Sequence, residues 1–99
     1  MIVAFSISPA ATHADGGVSD VVAEAVRVVR ESGLPNETNA MFTNIEGEWD
    51  EVMAVVKRAV DVLAARSPRV SLVLKADIRP GYTGQLAAKV ARVDELLGE

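Results

Sequence analysis

The chain has 99 residues, of which 49% are hydrophobic and 24% are charged, which is the size and composition of one globular domain and excludes a disordered segment. Its formal net charge of -4 has the wrong sign for a protein that binds nucleic acid by neutralising phosphates. The absence of cysteine excludes disulfide bonds and thiolate zinc sites, and no apolar run approaches the roughly 18 residues needed to span a bilayer. We therefore expect a single cytoplasmic domain over residues 1–99, with no nucleic-acid or membrane partner.

The first third of the chain predicts a strand followed by a helix. Residues 2–8 alternate as a strand does, and Pro9 ends them. After a loop rich in turn residues, Ser19 is placed to cap a helix whose apolar residues recur at helical spacing, and Gly33 is a stop signal.

The rest of the chain predicts three strands and two helices. Residues 36–46 contain two short strand-like pieces, paired through a tight turn near Asn39 and Ala40. A helix over about residues 48–66 is followed by a long alternating strand at 69–79. A last helix follows the turn "RPGYTG" and has one apolar stripe, which consists of Leu86, Val90, Val93 and Leu97.

This order of elements is typical of a ferredoxin-like βαββαβ sandwich, an α+β fold with a four-stranded antiparallel sheet, here with an added C-terminal helix. The two long helices are expected to cover one face of the sheet. The expected core consists of Val3, Phe5, Ile7, Val22, Val26, Val29, Val56, Val60, Leu72 and Leu74. The other face is half polar, so it is solvated, covered by another subunit, or lined against a ligand.

The sequence offers little for catalysis. His13 is the only histidine, and it lies in a loop with few other ligand types nearby, so a surface histidine is a better interpretation than a metal ligand. Ser6 and Ser8 lie on a strand without a nucleophile elbow. We therefore predict no enzyme activity, no catalytic residue, no metal site and no cofactor.

The segment "FTNIEGEWDEVM" contains four carboxylates around one glycine. Glu48, Asp50 and Glu51 fall in the first turn of the second helix, where negative charge is favourable. Glu46 lies before that turn, so it either caps the same helix or points to the polar sheet face as part of a site. Trp49 begins an apolar stripe, which favours a place in the core.

Four segments together resemble one family, the YkoF-like small thiamine-binding proteins. "MFTNIEGEWDEVMAVVKRA" is similar to that family's most recognisable segment, and "SISPAAT", "VSDVVAEAVRVVRESGL" and "KADIR" resemble three others. The resemblance implies a ferredoxin-like fold, dimers and tetramers assembled through the sheets, and binding of thiamine or its hydroxymethylpyrimidine part without catalysis. Ala11 and Phe42 replace glycines of many relatives, and Asn44 replaces an apolar residue, so the pocket is expected to be narrower.

A thiamine ligand suggests a particular set of site residues. Thiamine has a permanent positive charge, and its aminopyrimidine edge offers both a donor and an acceptor. Carboxylate, hydroxyl and amide groups suit such a ligand. If the first and last strands are central neighbours, the strand end at Glu46 is near these groups, and the predicted site consists of Ser8, Thr12, Thr43, Asn44, Glu46 and Asp77.

Two other functions fit the same sequence. The first is a structural or regulatory homo-oligomer with no thiamine ligand, in which the polar sheet face is only an interface. The second is a cofactor-free enzyme, a hypothesis that rests on fold analogy alone. We also expect a homo-oligomer, a tetramer built from dimers, because Ile2, Ala4 and Val73 leave apolar area on the sheet face without helices.

Overall fold

The computed structural model describes residues 1–9 and 18–98, with only the backbone of Val18 and Ser19. Within these residues the predicted βαββαβ order and the added helix are confirmed. The described elements are β1 (Ile2–Pro9), α1 (Val18–Arg30), β2 (Asn36–Thr38), β3 (Thr43–Glu46), α2 (Trp49–Ala64), β4 (Val70–Asp77) and α3 (Gln85–Leu97).

The described strands form one antiparallel sheet in the order β2-β3-β1-β4. Ile2 of β1 lies opposite Glu46 of β3 on one side and opposite Asp77 of β4 on the other. The first and last strands are therefore neighbours, as predicted, but the expectation that both are central is wrong. Because β1 pairs with the β2–β3 hairpin on its other side, β4 is left at the edge.

Helices α1 and α2 pack on the sheet face that carries Val3 and Phe5, which is called the helix face below. The core is built mainly from valine and alanine, as the scarcity of aromatic residues requires. Ile7, Val22, Val26, Val60 and Leu74 of the expected core are partly buried. The buried hydrophobic residues are Val3, Phe5, Ala25, Val29, Ile45, Val52, Val55, Val56, Ala59 and Leu63.

Two residues expected in the core are exposed. Leu72 is on the helix face but 43% exposed, because β4 is an edge strand and has a neighbouring strand on one side only. Trp49 is 54% exposed. It is the first residue of α2, and helical side chains point back toward the helix N-terminus, so its ring extends past the end of the core and the buried stripe begins one turn later, at Val52.

The tight turn predicted between β2 and β3 is also present. The side-chain oxygen of Asn39 accepts hydrogen bonds from the backbone N–H groups of Met41 and Phe42, both at 2.9 Å. The Asn39 N–H donates to the Phe42 carbonyl at 3.0 Å. These bonds fix residues 38–43 as a hairpin that projects beside α1.

In the described part of the chain, no helix is long and apolar enough to cross a membrane.

Candidate functional site

The predicted site residues do not share one face of the sheet. Side chains alternate between the two faces along a strand, and residues paired across antiparallel strands point to the same face. Thr43 lies opposite Phe5, so it points to the helix face, whereas Asn44 lies opposite Ala4 and points to the other face, called the open face below. The prediction that Thr43 and Asn44 serve one site from one strand end is therefore wrong.

Ser8 is also separated from the other residues. It pairs with Ser71, whereas Ile2, at the opposite end of β1, lies between Glu46 and Asp77. Six residues of extended chain span about 20 Å. The expectation that Ser8 reaches Glu46 and Asp77 is therefore wrong, and Thr12 lies outside the described residues.

The carboxylate of Glu46 caps α3 and not α2. Its two oxygens accept hydrogen bonds from the backbone N–H groups of Gln85 (2.9 Å) and Leu86 (3.1 Å), and the residue is only 4% exposed. Gly84, which precedes α3, has no side chain to satisfy those first N–H groups, so the acid supplied by β3 does so. At α2 the Glu48 N–H instead donates to the Glu51 side chain at 3.1 Å.

Gly47 explains why the strand ends at this point. A Cβ atom at this position would lie 3.2 Å from a methyl carbon of Val52 and 3.3 Å from one of Leu34. Its N–H donates to the Met1 carbonyl at 3.1 Å. The glycine thus allows the turn from β3 into α2 to pack closely on the core while Glu46 points the other way, to the open face.

A groove of about 480 Å³ lies on the open face, between the sheet and α3. Ile2 and Ala4 form part of its floor, and Leu86 and Val90 of α3 form part of its wall. Asn44 and Asp77 line it as well, so the structure brings these two predicted residues together, whereas Glu46 lies at the adjoining α3 terminus with both oxygens engaged.

The charged side chains of this open-face groove include one ion pair, between Asp77 and Lys89, and Glu37 and Lys75 line the groove as well. Asp77 accepts a hydrogen bond from Lys89 of α3 and forms an ion pair with it. This hydrogen bond and the lysine charge hold the pKa of Asp77 below its ordinary value, with smaller contributions from the nearby Arg79 and Lys75. Asp77 is therefore already matched by cations and is a poor partner for a further cationic ligand.

A second concavity, of about 200 Å³, lies on the helix face between β1, α1 and residues 38–43, and is called the hairpin cleft below. Phe5 and Ile7 of β1 and Val22 and Val26 of α1 give it apolar walls. Its polar side chains include Thr38, Asn39 and Thr43. The described residues that line it include no charged side chain.

Sequence reasoning missed Thr38, Asn39 and the apolar wall from α1 as site residues. The turn signal at Asn39 was visible, but nothing in the sequence showed that the hairpin faces α1. Thr43 was identified, and among the described members of the predicted set it is the one that lines the hairpin cleft. Among the described residues no cluster of three potential metal ligands is found.

Comparison with known proteins places this chain in one family. Residues 3–94 match the family model described as thiamine-binding protein. A UPF0045 protein of Mycobacterium bovis is 57% identical over 98 residues, which cover 98% of this chain and 94% of that protein.

Solved structures show the same fold. A hypothetical protein from Methanocaldococcus jannaschii superposes with a TM-score of 0.82 at 32% identity, over 95% of each chain. A protein from Thermotoga maritima that has been proposed to act in thiamine biosynthesis or salvage superposes with a TM-score of 0.79 at 27% identity, over 93% of this chain and 96% of that one. On these matches, the chain belongs to the thiamine-binding protein family.

Proposed function

We propose that this protein binds a neutral heteroaromatic ring in the hairpin cleft, of the aminopyrimidine type found in thiamine and hydroxymethylpyrimidine, and that it does so without catalysis. The observation that carries this proposal is the lining of the cleft. Its described walls are apolar, its polar groups are hydroxyls and an amide, and it has no charged side chain among them. Such a site suits a flat uncharged ring that needs a few hydrogen bonds.

The hydrogen-bonding groups of the cleft match an aminopyrimidine edge. That edge offers one donor and one acceptor, and a threonine hydroxyl can both donate and accept. Thr43 is 7% exposed on the cleft wall, where a hydrogen bond is shielded from water. The Asn39 oxygen is used by the turn, which leaves its amide N–H groups as donors.

The size and charge of the cleft support binding of the pyrimidine end rather than enclosure of the whole of thiamine. Its volume of about 200 Å³ is smaller than the roughly 300 to 1,000 Å³ of sites for drug-sized ligands. Burying the thiazolium charge without a partner would be costly, so we place this end of thiamine outside the cleft, in water.

The ring preference gives a direct test. Calorimetric titration with hydroxymethylpyrimidine, thiamine and the isolated hydroxyethylthiazole should show saturable binding of the first two and none of the third. Saturable binding of the thiazole alone, or no binding of any of the three at millimolar concentration, would contradict the proposal. Native mass spectrometry of the purified protein provides a second test, through the mass of any retained ligand.

A homo-oligomer is a second candidate function, compatible with the first. The exposed apolar side chains of β4 and α3 favour it: Val73 is 58% exposed, Val90 56% and Leu97 66%. A protomer of this size does not readily leave such area in water. We therefore propose a cytoplasmic homo-oligomer, a dimer of dimers, and expect light scattering at micromolar concentration to give a mass well above the 10.5 kDa of one chain.

A further inference from the structure

An open concavity along α1 adjoins the hairpin cleft. It has a volume of about 590 Å³ and is called the α1 groove below. Val22 and Val26 line both the α1 groove and the hairpin cleft, so the two concavities meet at these valines. A substituent on a ring bound in the cleft can therefore extend past them into the groove.

Two arginines line the α1 groove beside these valines. Arg27 and Arg30 are both exposed, and residues three apart on a helix are neighbours on its surface. Long side chains on a helix lean toward its N-terminus. For both arginines this is the direction of Val22 and Val26, so the two guanidinium groups belong to the side of the groove that meets the cleft.

The α1 groove has an excess of positive charge. Its described lining contains one acidic side chain, Glu31, against the two arginines. Neither Arg27 nor Arg30 forms an ion pair with another described residue, whereas Arg66 is paired with Glu24 of α1 at 2.8 Å. Like charges three residues apart on a helix repel each other, and an anion bound between them relieves that repulsion.

We infer that the ring ligand of the hairpin cleft carries a phosphate ester on its hydroxymethyl group, and that Arg27 and Arg30 bind this phosphate in the α1 groove. This inference rests on the proposed function, because it concerns the same ligand. A guanidinium group can pair with two phosphate oxygens at once, and a phosphate monoester carries a charge of about -1.5 to -2 at pH 7.

The two concavities then divide the ligand by charge. The neutral ring lies in the cleft, whose described lining has no charged side chain, and the phosphate lies in the open groove. Because the groove is open to water, the phosphate and the arginines keep much of their hydration, and the cost of burying a charge is avoided.

The same arrangement predicts an order of affinities. In thiamine the thiazolium cation is joined to the carbon that carries the hydroxyl group in hydroxymethylpyrimidine, so it would extend toward the same two arginines. Like charges repel, whereas the phosphate is attracted. We expect the phosphate ester to bind more tightly than hydroxymethylpyrimidine, and hydroxymethylpyrimidine more tightly than thiamine.

Calorimetric titration of hydroxymethylpyrimidine and of its monophosphate ester into the wild-type protein tests the inference. At low salt the ester should bind at least about tenfold more tightly, as a charge-assisted contact provides. In 1 M salt this advantage should shrink, because ions screen exposed charges beyond about 3 Å. The affinity for hydroxymethylpyrimidine itself should change little with salt.

Substitutions in α1 identify the groups that bind the phosphate. Arg27→Gln and Arg30→Gln should each reduce the advantage of the ester and leave the affinity for hydroxymethylpyrimidine unchanged, which a general loss of structure would not do. Glu31→Gln should increase the advantage, because it removes the carboxylate of the groove. The matched control Arg58→Gln, at an exposed position of α2, should leave it unchanged.

Equal affinities of the wild-type protein for the two compounds would overturn the inference and leave the proposed ring binding intact. An advantage of the ester that persists in both arginine variants would do the same. Binding of inorganic phosphate as tight as that of the ester would also overturn the inference, because the anion would then bind without the ring. No saturable binding of either ring compound would overturn both the inference and the proposed function.

Discussion

At the residue scale, Glu46 supplies a cap that α3 lacks. The helix follows a glycine with φ of 66°, and the carboxylate that accepts its first two free N–H groups comes from β3. None of the side chains of α3 is buried. The described polar contacts between this helix and the sheet include the hydrogen bonds to Glu46 and the exposed ion pair between Lys89 and Asp77, of which the buried Glu46 is expected to contribute more.

Glu46→Gln should lower the free energy of unfolding by about 1.5 to 3 kcal/mol, because the neutral amide keeps one acceptor oxygen and turns an N–H group toward the backbone donors of α3. Urea denaturation followed by circular dichroism measures this change. The control Glu37→Gln makes the same chemical change at an exposed side chain and should stay within about 0.5 kcal/mol of wild type. Equal stabilities of the two variants would refute the capping role of Glu46.

The ion pair of Asp77 should contribute to stability in a pH-dependent way. Its pKa is lowered in the folded protein by the hydrogen bond and charge of Lys89. The contribution is therefore complete above the ordinary aspartate pKa of about 3.9 and is lost as the pH falls through the lowered value. We expect wild type to be more stable than Asp77→Asn near neutral pH, with the difference shrinking below about pH 4. A difference that grows on acidification would contradict this sign.

At the scale of elements, the position of a strand in the sheet decides how much a leucine on it contributes to the free energy of unfolding. Leu63 of α2 is fully buried, so Leu63→Ala should cost about 2 to 5 kcal/mol. Leu72 belongs to the edge strand, and within one protomer Leu72→Ala should cost less than half as much. Denaturant unfolding, at a protein concentration low enough to favour the monomer, compares the free energies of unfolding of the two variants. Equal losses would mean that Leu72 is a core residue after all.

The elements themselves could be predicted from the sequence because alternation and helical spacing report local burial. The strand faces of β1 and the buried stripe of α2 follow directly from those periods. Register and edge position depend on residues far apart in the chain. Alternation alone puts Thr43 and Asn44 on opposite faces, but only the pairing with β1 shows which of them points to the helix face. Glu46 meets a helix end 39 residues later in the sequence.

The same limit applies to the candidate site. A turn at Asn39 was predictable from residue type, but the cleft exists only because the hairpin packs beside α1. Trp49 has helical spacing relative to Val52 and Val56, yet its place at the first position of α2 leaves it exposed. Periodicity identifies a stripe and does not show where the core beneath it ends.

At the scale of the whole molecule, the two proposed activities use different surfaces. The hairpin cleft lies on the helix face, beside β3 and the hairpin. The exposed apolar side chains of β4 lie at the opposite edge of the sheet, and those of α3 lie on the open face. Ligand binding and assembly should therefore respond to different substitutions. The open-face groove, in contrast, lies between the sheet and α3, so a ligand bound there should respond to substitutions in α3.

The most direct test is calorimetric titration of hydroxymethylpyrimidine into wild type, Thr43→Val and Asp77→Asn. Valine keeps the shape of threonine and removes the hydroxyl from the cleft, so Thr43→Val should weaken binding up to about tenfold, the equivalent of one hydrogen bond. Asp77→Asn changes the open-face groove and should bind like wild type. Weakened binding in Asp77→Asn with unchanged binding in Thr43→Val would place the ligand on the open face and contradict the account.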